Sequence, residues 1–315
     1  MKVLVTGGRG YVGGRLCSFL ADDPECQVFS GTRSESSKSS SCDRISSVTT
    51  DWNSMDSLVS CCTGMDAIVH LAAINSADSW CDPVAALEVN ALGTARLMRA
   101  AIQVGVRRFV YISTAHVYGQ SLVGTITEKT YPLPVHPYAT SHRAAEDLVV
   151  TSSYLGSIES VVLRLSNGFG LPMREEVDCW NLVFNDLCRQ VVMSGEIVLR
   201  SSGLHRRDFI TLTDVCKAIR HFLKLSTASL RDNVFNLGGE WSPTILDVAT
   251  LVADRFETRG YARPNITTVP AKLGEQATPL DYRIDSLKST GFNLSSEPIA
   301  ELDGLIAFCE EAFGR

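Results

Sequence analysis

The stretch that most constrains this chain is its first twenty residues. Residues 2–6 (Lys-Val-Leu-Val-Thr) have the composition of a short buried strand, which runs straight into Gly7-Gly8-Arg9-Gly10-Tyr11-Val12-Gly13 and then into the helix-like stretch 14–20. A turn this tight needs residues without a Cβ, both to reach positive φ and to let an anion approach the backbone. The free N–H groups and the dipole of the helix start then hold that anion. Between a strand and a helix, the G-x-x-G-x-x-G spacing of Gly7, Gly10 and Gly13 predicts the pyrophosphate loop of a dinucleotide site, with Arg9, Tyr11 and Val12 among its residues. The competing reading is a purely structural turn.

With 315 residues, 45% of them hydrophobic, the chain can build one large α/β unit or a nucleotide-binding domain with a smaller partner. A net charge of −6 and the lack of a basic run argue against nucleic acid as a partner. No run of about 18 apolar residues suggests a membrane span. The strand begins within two residues of Met1 and leaves no room for a targeting segment, so a cytoplasmic protein is expected. The ten cysteines are scattered without a C-x-x-C pair, and are expected to be small buried apolar residues in a reducing compartment, with no metal site.

Apolar strands alternate with helical stretches through the first half: strands at 3–6, 27–31, 67–71, 109–113 and 161–165, with long helices at 85–104 and 141–155. That rhythm predicts a parallel sheet covered on both faces. The serine-rich stretch 34–47 buries little and is expected to be a loop. Past Gly170 the rhythm breaks, leaving a helix at 181–193, a strand at 235–239 and helices at 245–256 and 299–313. The expected fold class is α/β, a Rossmann-like doubly wound parallel sheet with a smaller C-terminal substrate-binding lobe. Residues 1–170 form the nucleotide-binding domain, with 210–262 partly returning to it; 171–209 and 263–315 form the second lobe. A cleft between them is the expected ligand site.

Beyond the glycine loop, motifs follow in order: His70-Leu71-Ala72-Ala73, Asn90 in Val89–Thr94, Ser113-Thr114-Ala115-His116-Val117-Tyr118-Gly119, Tyr138, Arg164-Leu165-Ser166-Asn167 and Arg206-Arg207-Asp208-Phe209-Ile210. Together they resemble the extended short-chain dehydrogenase/reductase family, the NAD(P)-dependent nucleotide-sugar epimerases, reductases and dehydratases, over nearly the whole chain. The resemblance implies that Tyr138 is the general acid/base, that Thr114 shares its hydrogen bond to the sugar oxygen, and that the group four residues after the tyrosine holds the nicotinamide ribose. The family has lysine there; this chain has His142. His142 can still donate a hydrogen bond to a ribose hydroxyl, and as an imidazolium would lower the pKa of Tyr138, but it is shorter than lysine and mostly neutral at pH 7. Three readings stay open: a working enzyme with His142 as substitute, a slow enzyme, and a non-catalytic dinucleotide-binding regulatory or scaffold protein on the same fold.

The resemblance also implies that Asp51 and Trp52 meet the adenine, that Leu71, Ala72 and Ala73 line the pyrophosphate and ribose, and that Asn90, Ser113 and Leu165 complete the cofactor site. On the substrate side it implies Asn167 and Arg207 at the nucleotide diphosphate, with His116, Asn181 and Arg174 as further contacts. An Asp-Glu pair that performs dehydration in some members is replaced by Ala115-His116, so dehydration is not expected. The end of the second strand, residues 29–33 (Phe-Ser-Gly-Thr-Arg), offers no carboxylate before Glu35 to bind a ribose 2′-hydroxyl. Arg33 and Arg9 together suit a 2′-phosphate, so NADP is the expected cofactor and NAD the alternative. The expected reaction is 4-keto reduction or epimerisation of a nucleotide sugar by hydride transfer. The family resemblance also implies a homodimer through the two long helices.

Overall fold

The computed structural model describes residues 1–32, 44–230 and 232–314; Arg33 and most of the serine-rich stretch lie outside them. Strand β1 (Lys2–Thr6) turns through the glycines into helix α1 (Tyr11–Ala21), followed by β2 (Gln27–Thr32), β3 (Ile45–Thr49), α2 (Met55–Cys62) and β4 (Ala67–His70). After α3 (Ser76–Cys81), a continuous helix starts as α4 (Pro83–Ala86), widens into a π-helical turn (Leu87–Leu92) and continues as α5 (Gly93–Gln103). Next come β5 (Arg108–Thr114), β6 (Gly124–Ile126), α6 (Pro137–Tyr154), β7 (Glu159–Leu165) and β8 (Asn167–Phe169). The rest is α7 (Val183–Ser194), β9 (Glu196–Val198), β10 (Phe209–Thr211), α8 (Leu212–Lys224), β11 (Val234–Leu237), α9 (Ile245–Thr258), β12 (Asn265–Thr267), β13 (Leu280–Tyr282), α10 (Asp285–Ser289) and α11 (Pro298–Phe313).

Seven strands pair in parallel in the order β11-β7-β5-β4-β1-β2-β3. This is the doubly wound order, and its reversal between β1 and β4 opens a crevice at the carboxyl ends, where the glycine loop sits. Strand β5 is buried along its whole length, as a central parallel strand must be. One apolar core, with Leu16, Leu20, Val215, Ile219 and Phe222, covers one face of the sheet; the other face packs on Leu58, Leu97, Met98, Ala145 and Val149. A separate core around Phe184, Leu187, Val252, Phe256, Leu305 and Ile306 builds the second lobe.

Three expectations need correction. Residues 45–47 belong to the edge strand β3, which pairs with β2 on one side only and so needs little apolar surface. Helix α6 starts four residues before the expected 141, because His136 accepts the Tyr138 N–H as N-cap and Pro137 suits the first helical position; Tyr138 therefore stands in the first turn. Finally, the helix expected at 245–256 runs on to Thr258; it contributes Val248, Val252 and Phe256 to the second core, while α8 and β11 pack with the first.

A buried ion pair ties the sheet to α6. Arg164 on β7 donates to Glu146 on α6 at 2.7–3.2 Å, and Ser113 at the end of β5 donates to the same carboxylate at 2.5 Å. Arg164 also donates to the Tyr118 hydroxyl at 2.8 Å, which donates to Asn236 on β11 at 2.7 Å. Glu146 is fully buried and Arg164 nearly so. Glu146→Ala leaves a guanidinium buried without its anion and should lower unfolding free energy by about 3–5 kcal/mol in chemical denaturation. A loss under about 1 kcal/mol would show that solvent reaches this pair.

Candidate active site

The glycine loop is shaped by close contacts that side chains would prevent. Gly7 adopts φ +68°, its carbonyl accepts the Gly10 N–H at 2.9 Å, and a methyl on Gly13 would run into the Gly7 carbonyl oxygen. Gly10 caps α1 without a side chain, so no side-chain oxygen occupies the first-turn N–H groups. Val12 packs on the first core, and the Tyr11 hydroxyl donates to the Gly170 carbonyl (2.6 Å) and Asn185 (3.0 Å), tying the loop to the second lobe.

Thr6, at the end of β1, organises the neighbouring turn. Its Oγ1 accepts the Leu71 and Ala72 N–H groups (3.2 and 3.3 Å) and lies 2.6 Å from His70 Nδ1. His70 Nε2 meets Thr94 Oγ1 at 2.9 Å, and Thr94 donates to the Asn90 carbonyl at 2.6 Å. Satisfying this chain leaves His70 neutral, and burial lowers its pKa to about 3. Leu71 and Ala72 thereby close against Gly7, and Ala73 follows on the same turn.

Several expected cofactor side chains are engaged elsewhere. Asn90 accepts the Ile74 N–H (2.8 Å) and donates to Ser141 (3.0 Å), so it braces the loop after β4 against α6. Ser113 spends its hydroxyl proton on Glu146. Leu165 lines a cavity with Asn167, His116 and Arg207. Asp51 is exposed and accepts the Asn53 N–H in a turn, while Trp52 places its ring 5.6 Å from His70.

Tyr138 lines a cleft of about 1160 Å³ with His116, Arg207 and the exposed Asn181. Asn181 stands before the cap residue of α7, Leu182, and so is not a helix cap. A smaller cavity of about 270 Å³ joins it through His116 and Arg207, and adds Leu165, Asn167, His205 and Asp208. Arg207 makes no ion pair among the described residues. Asn167 donates to the Asp208 carbonyl at 2.9 Å, and the Asp208 carboxyl, pushed up to about 7 by burial, accepts the Gly239 and Trp241 N–H groups. The Arg174 guanidinium donates to the Arg9 carbonyl at 2.9 Å, on the glycine loop. Thr114 is buried, and its Oγ1 accepts the His116 N–H at 3.2 Å. His116 is open to the cleft, yet the surrounding walls, and then Arg207, lower its pKa.

His142 is the departure from the family's lysine. It is buried, its Nδ1 lies 2.7 Å from the Tyr111 hydroxyl, and burial depresses its pKa to about 3. Burial thus strengthens the expectation that it is mostly neutral at pH 7. The Tyr138 ring, half-exposed to the cleft but enclosed at longer range, has its phenol pushed up to about 12 by burial, with His142 edge-on at 4.4 Å. Trp52, His70, Tyr111, His142 and Tyr138 form one row of rings, each pair of centroids within 5.8 Å. Sequence reasoning missed Tyr111, which lies 31 positions from His142, and His136, whose place two residues before Tyr138 was a usable signal.

These residues fit a nicotinamide dinucleotide. The uncapped helix start offers N–H groups to an anion, and His142 Nε2 is a buried ring nitrogen with no partner among the described residues. A family model described as the NAD dependent epimerase/dehydratase family matches residues 3–238. The chain belongs to that family. Among relatives of this chain, YtcB of Bacillus subtilis (strain 168), described as an uncharacterized UDP-glucose epimerase, is 29% identical over 81% of this chain and 82% of its own. The dTDP-glucose 4,6-dehydratase of Streptomyces niveus is 28% identical over 98% and 92%. Among solved structures, MoeE5 in complex with UDP-glucuronic acid and NAD is 27% identical, covers 99% of this chain and 100% of its own, and superposes with a TM-score of 0.80.

The neutral histidine has a thermodynamic signature. An unfolded chain protonates residue 142 near pH 6.5 and the folded chain only near 3, so below 6.5 the unfolded state binds more protons and stability falls with pH. Between pH 7.5 and 5.5, His142→Asn should therefore lose about 1.4 kcal/mol less than the native protein in paired urea titrations. Equal losses would mean that His142 is protonated in the fold.

Proposed function

We propose that this family member is an NADP-dependent enzyme that moves hydride to or from C4 of a nucleotide-activated sugar, reducing a 4-keto sugar or epimerising it through a transient ketone. The observation that carries the reading is the single cleft lined by Tyr138, His116 and the ion-pair-free Arg207, with His142 one turn behind Tyr138. The dinucleotide, when bound, supplies or accepts the hydride. The backbone of Gly7, Gly10 and Gly13 and the first turn of α1 would hold its pyrophosphate, and His142 its ribose. Tyr138 exchanges a proton with the sugar oxygen, and Thr114 shares that hydrogen bond. Arg207 faces the diphosphate, with Asn167 beside it.

A phenol held neutral by burial suits protonation of a ketone oxygen as hydride arrives, which favours the reductive direction. Ala115 and His116 place no carboxylate where elimination of water would need one. Arg9, exposed on the glycine loop, supports NADP; NAD, which MoeE5 holds, is the alternative. The reading takes the protein as cytoplasmic and as a homodimer pairing α4–α5 and α6, where Leu87, Leu92 and Leu148 are exposed. Sedimentation should give twice the monomer mass, and Leu148→Glu should halve it; a monomeric native protein ends that part.

Fluorescence titration with NADPH and NADH, followed by turnover with nucleotide sugars and their 4-keto forms, tests the reading. Tight NADPH binding and oxidation of NADPH by a keto sugar are expected. Tyr138→Phe should lower kcat/KM by about 10²- to 10⁴-fold while leaving dinucleotide affinity unchanged. Binding without turnover on any sugar, with no change of product stereochemistry by NMR, would favour the non-catalytic dinucleotide-binding protein.

A further inference from the structure

The feature least accounted for is the pair Tyr111–His142. Tyr111 sits in the middle of β5, 2% exposed, between the rings of His70 (5.7 Å) and His142 (5.8 Å, nearly parallel). Among the described residues, its hydroxyl has one hydrogen-bond partner, His142 Nδ1 at 2.7 Å. A phenol has one proton to donate, and a neutral imidazole has one nitrogen able to accept it. If Nδ1 carried the ring proton, the phenolic proton would be buried without an acceptor, at a cost of about 1–3 kcal/mol. With Tyr111 donating to Nδ1, the ring proton must lie on Nε2. That nitrogen is buried and has no partner among the described residues. The second orphan is thus a donor, placed one helical turn past Tyr138.

We propose that Tyr111 is a positioning residue that holds His142 as the Nε2–H tautomer, so that the ring offers the bound dinucleotide's ribose a single neutral hydrogen-bond donor in place of a positive charge. This rests on the dinucleotide site proposed above. The chemistry differs from that of a lysine. The donor is fixed in direction by a rigid strand residue and a stacked ring, and it contributes to binding and orientation without stabilising a phenolate at Tyr138. The ligand group it fits is a hydroxyl oxygen, an acceptor.

The test reads the tautomer directly. In protein labelled with ¹⁵N-histidine, with His142 signals identified by their loss in His142→Asn, the native ring should show a protonated Nε2 and an unprotonated Nδ1, and the Nε2–H signal should shift on addition of NADPH or NADH. Tyr111→Phe, which removes only the hydroxyl, should mix the tautomers. It should also weaken dinucleotide affinity by about five- to tenfold and raise its KM, with kcat nearly unchanged, as expected for one lost hydrogen-bond constraint. A native Nδ1–H tautomer or imidazolium overturns the proposal, and this arm needs no variant to fold. Dinucleotide binding that leaves the His142 signals unmoved overturns it too, while the site reading stands. No binding of either dinucleotide overturns the site reading and the proposal together.

Discussion

The buried Arg164–Glu146 pair is the constraint on which the site's geometry depends. It joins β7, α6 and, through Ser113, the end of β5, and Tyr118 and Asn236 extend it to β11. Two charges taken out of water are costly unless every donor and acceptor is met. Here Arg164 is met by Glu146 and Tyr118, and Glu146 also receives Ser113 and Arg143. The geometry of α6 against the sheet is therefore narrowly set. Because Tyr138 and His142 lie in the first turns of that helix, their position relative to the strand ends follows from a network that touches neither of them.

A second constraint is the chain from Thr6 through His70 and Thr94 to Asn90, which closes the turn after β4 against the glycine loop. Both histidines of the ring row are buried and uncharged. The inner wall formed by His70, Tyr111 and His142 therefore carries no fixed cation, and among the described residues the cationic side chains lining the cavities are Arg200, Arg206 and Arg207.

The parts legible in the sequence were those that local chemistry dictates. The strand–glycine–helix opening, the five main strands and the long helices follow from periodicity and turn residues over a few positions. What escaped depends on partners far along the chain. Ser113 and Asn90 look like ligand residues until Glu146 and Ser141, 33 and 51 positions away, are seen to take their side chains. That His142 is mostly neutral follows from its residue type; that Tyr111 holds its Nδ1 does not, because the partner lies on another element. Nor did anything local show that Arg174 reaches the Arg9 carbonyl. Strand β3 escaped because an edge strand needs so little apolar surface.

Tyr11 belongs to two parts of the molecule at once. It opens the helix whose start faces the pyrophosphate position, and its hydroxyl closes on Gly170 and Asn185 at the root of the second lobe. Arg15, one turn further, adds bonds to Leu171, Thr213 and Glu301. In mechanical terms the glycine loop is thus no free hinge flap but the fixed end of a lever whose other arm is the second lobe. Any rocking of one lobe against the other must strain these bonds, and through Tyr11 the turn that precedes it.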